Sequence, residues 1–193
     1  MLLLFRSMMK RFLKREVFVF QILSVLILLY IWAKATALFL SFPKNAEISF
    51  SVSEGNYVYF GKIKNVFPLC VSLSLIPLSI LLILSFREKI ISRMIKKYSE
   101  KIDQEHKENS EEILKRSEKI VRRIFALISL TNLLIALYML AIAEGIFFAL
   151  KEGFLSTWFI PFFILTPLLI AVFFIIKSLL IIFKESEKKD STS

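Results

Sequence analysis

Residues 124–150 read IFALISLTNLLIALYMLAIAEGIFFAL, and this stretch decides the fold. It carries one ionisable side chain, Glu144. The hydrocarbon core of a bilayer is about 30 Å thick and takes roughly 20 helical residues to cross. This stretch exceeds that length, and so do residues 17–41, 66–86 and 155–183. The expected fold is an all-α membrane protein, a four-transmembrane-helix bundle. With 56% of 193 residues hydrophobic and the excess held in those four blocks, no separate soluble core is needed. Residues 1–193 are read as a single polytopic membrane domain.

The charge outside the spans orients them. The chain has 26 Lys and Arg and a net charge of +10. Five of these basic residues lie in residues 1–16, twelve in 87–123 and three in 184–193. Three lie in the loop 42–65 and one, Lys151, in the turn 151–154. Positive charge concentrates on cytoplasmic loops. Both termini and the 87–123 segment are therefore expected in the cytoplasm, of a cell whose plasma membrane is the expected location. The basic surplus is a topology signal and an attraction to anionic headgroups. No aromatic-basic motif supports nucleic acid as a partner.

Composition excludes much chemistry. Cys70 is the one cysteine and His106 the one histidine. A Cys/His zinc site, paired haem histidines and a Cys–His nucleophile are excluded within the chain. Four glycines leave no Gly-rich phosphate loop and no Gly-x-x-x-Gly contact. No cofactor, no metal and no enzymatic activity are expected.

The flanks add detail. Residues 1–16, MLLLFRSMMKRFLKRE, read either as a short helix on the inner leaflet that then turns into the membrane or as a charged anchoring flank. The following apolar run continues through Leu38, Phe39 and Leu40, longer than a signal-peptide core, so retention as a span is expected over cleavage. In the outer loop 42–65, Ile48, Phe50 and Val52 alternate with serines, Ser53-Glu54-Gly55-Asn56 supplies a turn, and Tyr57–Phe60 resumes strand-type residues. That pattern predicts a small extracytoplasmic β-hairpin. Pro77 should kink the second span and Pro161 and Pro167 the fourth.

Residues 87–123 repeat apolar side chains at helical spacing: Ile91, Met94, Ile95, Tyr98 and Ile102, then Ile113, Leu114, Ile120, Val121 and Ile124. Ser110 before Glu111 and Glu112 suits a helix start. A cytoplasmic helical hairpin is expected, its arms packed in coiled-coil fashion on each other or on a partner helix. The turn after residue 150 is short enough to make spans 3 and 4 antiparallel neighbours.

Lys34 and Glu144 are the candidate intramembrane polar pair. Each lies seven residues inside the outer end of its span, roughly 10 Å deep. Equal depth and opposite sign predict an ion pair between spans 1 and 3. Charge at this depth is costly and points by default to function, with structural pairing as the competing reading. Gln21, Ser24, Thr131 and Asn132, with Ser129, lie at a second common level and are the candidate interhelical polar contacts.

These features predict a non-enzymatic scaffold or accessory subunit of a membrane complex, with a protein partner or a second copy as its ligand. Two alternatives stand beside it. In order and orientation, residues 66–183 resemble the core topology of the Oxa1/YidC superfamily, which implies an insertase or membrane chaperone module. A small oligomeric channel or transporter using Glu144 and Lys34 is the other.

Overall fold

The computed structural model describes the backbone of residues 2–41, 47–53, 56–62, 66–105, 110–152 and 159–190. It describes the side-chain surroundings of 17–41, 68–97, 99–100, 113–149, 151, 159 and 161–184. Five helices appear among these residues: α1 (Leu2–Ser41), α2 (Val66–Ser85), α3 (Arg87–Glu105), α4 (Ser110–Glu152) and α5 (Phe159–Asp190). Four contain segments long and apolar enough to cross a bilayer: Val17–Ser41, Pro68–Ser85, Ile113–Ala149 and Pro161–Lys184. The fold is an all-helical, integral, multi-pass membrane bundle.

The β-hairpin expected in residues 42–65 is corrected. Glu47–Ser53 and Asn56–Lys62 run antiparallel, but their register slips between Ile48 and Ser49 and again between Ser51 and Ser53. A lone two-stranded ladder is marginal in water. The side chains of residues 42–67 lie outside the described set. The ladder is not an element of the supported architecture, which is helical throughout.

α4 is the axis of the molecule. It packs against α1, α2, α3 and α5, whereas α5 has its principal contact with α4 alone. α1 and α4 run parallel: Val17 meets Ser129 and Lys34 meets Glu144, sequence separations of 112 and 110. Helices cannot gain hydrophobic energy from each other in lipid, so close backbone approach must supply the contact. Small buried residues provide it here: Ala35 on α1, and Ala136, Ala143 and Ala149 on α4. α2 crosses the same region, placing Cys70 among Ile31, Ile142 and Ile146. Trp32 Nε1 donates to Ser74 Oγ at 3.0 Å, tying α1 to α2.

α3 and the first part of α4 form the helical hairpin. Only Phe86 separates α2 from α3, and Phe86 N–H still bonds the Ile83 carbonyl while Ile90 N–H bonds that of Phe86. Ile91 is buried with Leu84 and Phe125, and Ile95 and Val121 pack beside them. Met94, expected in that stripe, is instead exposed. Tyr98 and Ile102 have side chains outside the described set. Arg122 clamps the arms together, both oxygens of Glu88 lying 3.1 Å from Nη1, while its Nε donates to Glu118 at 2.8 Å.

Two further details emerge. α1 is one unbroken 40-residue helix, so of the two readings of residues 1–16 the one with a turn is not seen, and residues 2–16 continue the helix of the span. Pro161 sits in the first turn of α5, where a missing N–H costs nothing; Pro167 is the internal one. It cannot donate to the carbonyl four residues back, that of Phe163. Tyr138 Oη on α4 donates to that carbonyl at 2.7 Å. The turn assigned to residues 151–154 begins inside α4, and residues 153–158 lie outside the described set.

Candidate functional site

Lys34 and Glu144 are brought together. The Lys34 ammonium donates to Oε2 of Glu144, joining α1 to α4. It also stands 5.0 Å from the centre of the Phe147 ring and 5.6 Å from that of Tyr30. Ring faces attract cations, so three neighbours hold the ammonium laterally instead of letting it reach for the headgroups. The second oxygen of Glu144, Oε1, is enclosed and has no hydrogen-bond partner among the described residues.

Helical phase fixes where this pair lies. On α4, Tyr138 and Gly145 face α5: Tyr138 bonds the Phe163 carbonyl, and the Phe159 ring presses on Gly145 so closely that a Cβ there would collide with it. Met139, Ala143 and Ile146 face α2, lining a narrow cleft with Cys70, Leu73 and Ser74. Glu144 follows Ala143 and precedes Gly145, and at about 100° per residue it points to neither α2 nor α5. It points to a third side, where Lys34 reaches it from α1. The pair is not enclosed by the bundle, with 34% of the Lys34 side chain and 43% of the Glu144 side chain exposed.

The second polar set behaves otherwise. Ser24 is fully buried but bonds the Phe20 carbonyl of its own helix at 2.8 Å. A serine hydroxyl reaches the carbonyl four residues back without any partner helix. Asn132 is 0% exposed, and among the described residues neither its amide oxygen nor its amide nitrogen has a partner; Thr131 Oγ1 is enclosed and has none among them either. Gln21 is half-buried and makes no side-chain hydrogen bond to a described residue. Among the described residues, Gln21, Ser24, Thr131 and Asn132 make no interhelical side-chain hydrogen bond. The interhelical bond at this level comes from Ser129, whose hydroxyl donates to the Val17 carbonyl at 3.3 Å.

Sequence reasoning missed two contacts. The Arg122–Glu118 spacing of four was a readable signal for the clamp on Glu88. The bond from Tyr138 to Phe163 was readable only by pairing a phenol on one span with a proline-freed carbonyl on the next. Among the described residues no group of acidic, His and Cys side chains is arranged to hold a metal ion. The arrangement suits contact between membrane helices.

No curated protein and no solved structure matches this chain. A family model described as "Transmembrane adaptor Erv26" matches residues 3–130, about two thirds of the sequence, covering α1, α2, α3 and α4 as far as Leu130. An adaptor family is a family of accessory membrane proteins with protein partners and is not an enzyme family. The chain belongs to the Erv26 transmembrane adaptor family.

Proposed function

We propose that the protein is a non-enzymatic scaffold or accessory subunit that holds another protein in a membrane complex. The family match across the first two membrane helices, the hairpin and the start of the third membrane helix carries this reading. The form of the molecule agrees with it: an axial helix extends from the bilayer into a clamped hairpin, and its polar residues do not line one continuous path. Lys34 and Glu144 lie on an outer flank, whereas Asn132 is fully buried. A pore or a transport cycle would need those groups on a shared route.

The orientation proposed is that of the charge count, with both termini and the α3–α4 hairpin in the cytoplasm and anionic headgroups against their basic residues. The finer location proposed from sequence is the plasma membrane, and immunolocalisation of the tagged chain against internal membranes tests it. Single cysteines at Ser92 in a Cys70→Ser background should label with an impermeant reagent only from the cytoplasmic side; labelling from outside reverses the topology.

Purification of tagged full-length protein from native membranes in mild detergent tests the adaptor role. A different protein recovered at fixed stoichiometry is expected. Recovery of the chain alone, monodisperse, or solely with copies of itself, overturns it.

A further inference from the structure

We infer that the flank of α4 between α1 and α5 is a one-helix slot for a partner's transmembrane segment, one that presents a neutral hydroxyl or amide side chain to the Lys34–Glu144 pair. This rests on the adaptor reading and names the surface and the chemistry of the partner.

The slot follows from the contacts of α4. Leu137, Glu144 and Phe148 fall at i, i+7 and i+11, a single stripe along the helix. All three are open to the outside, Leu137 at 44% and Phe148 at 53%. On one side of the stripe Ala136 and Phe147 turn toward α1, whose Lys34 meets both Glu144 and the Phe147 ring. On the other side Tyr138 and Gly145 turn toward α5. α1 and α5 thus stand as two walls, with α4 as the floor between them.

An apolar floor alone would suit lipid chains. The ion pair makes the difference. It sits roughly 10 Å inside the span, where hydrocarbon contacts solvate charge poorly. Lys34 has three N–H donors and Oε2 of Glu144 has a second lone pair, so their mutual bond leaves capacity on both, while Oε1 is enclosed. Because the pair is neutral as a unit, a charged partner residue would add an uncompensated charge at that depth. A hydroxyl or carboxamide both donates and accepts, and satisfies the two without adding charge. Serine, threonine, asparagine or glutamine on a membrane helix has this chemistry, and such contacts join helices in bilayers.

A photoreactive benzoylphenylalanine placed at Leu137 in the full-length protein, irradiated in native membranes, tests this. The control position is Leu169, an exposed residue of α5. Mass spectrometry of the adducts should place the Leu137 crosslink in a transmembrane segment of a different protein, within a turn of a hydroxyl or amide residue. The Leu169 probe should give at least fivefold less of that adduct. Glu144→Leu combined with Lys34→Leu should lower the Leu137 adduct at least fivefold while the double variant stays monodisperse. Adducts from Leu137 that map to lipid, to another copy of this chain or to a partner's water-exposed loop overturn the slot. If a stoichiometric partner co-purifies and yet no slot adduct forms, the slot fails and the adaptor role stands. If no partner co-purifies, both fail.

Discussion

α4 and α5 look alike in sequence, yet they occupy opposite situations. Within their most apolar windows, 39% of α4 residues are buried inside the protein and none of those of α5 are. α4 carries Ala136, Ala143, Gly145 and Ala149 where neighbours approach, with Ser129 bonded to α1 and Asn132 fully buried. α5 is built from Ile, Leu and Phe on nearly every side and touches the rest of the molecule mainly along α4. Apolarity places a helix in the bilayer. Small and polar side chains decide which helix becomes the axis and which the outer wall.

That contrast can be broken most forcefully where the two helices touch. Gly145→Ala should lower stability by about 1–3 kcal/mol, because the added Cβ meets the Phe159 ring. Unfolding of purified protein in detergent measures it, and Phe159→Ala in the same chain should cancel most of the clash. A loss that persists in the double variant would show that the close approach of α5 is not the cause. Next in size, Asn132→Leu should stabilise by about 1 kcal/mol, since it removes a buried amide whose hydrogen-bonding groups are unmet. A drop in the same unfolding assay would mean that Asn132 has a partner in the membrane. Tyr138→Phe should cost about 0.6–1.7 kcal/mol, the worth of an interhelical hydrogen bond in a bilayer, and should speed proteolysis near Pro167. Leu169→Ala, on the outer wall, should change stability by less than about 0.5 kcal/mol. A larger effect there would place α5 in a buried contact and erase the distinction between the two helices.

Much of this organisation was legible. Four blocks of sufficient length became four membrane helices, and Ser110 with its following glutamates marks the start of α4. Counting residues from the outer ends set Lys34 and Glu144 at one depth, and their side chains meet. Depth is a linear measure that survives the absence of any contact information. Azimuth is not. Ser24 shares a level with polar groups on α4 but turns its hydroxyl back onto Phe20, a bond that no count of depth distinguishes from an interhelical one. Met94 fits the apolar stripe of the hairpin by spacing yet faces outward, because three residues turn it about 60° from Ile91 on the side opposite Ile95. The strand-like alternation of residues 48–60 was misleading as a fold element for a third reason. Alternation reports local pairing propensity, and a lone pair of strands is marginal as a fold element.

The unbroken length of α4 has a mechanical meaning. Its 43 residues span about 65 Å from the hairpin to the far edge of the bundle, with no proline and no break. A rod of that length tilted by about 5° shifts one end by about 6 Å relative to the other. Anything that grips the clamped arms therefore works as a hand on a lever, and Glu144 rides on its opposite end.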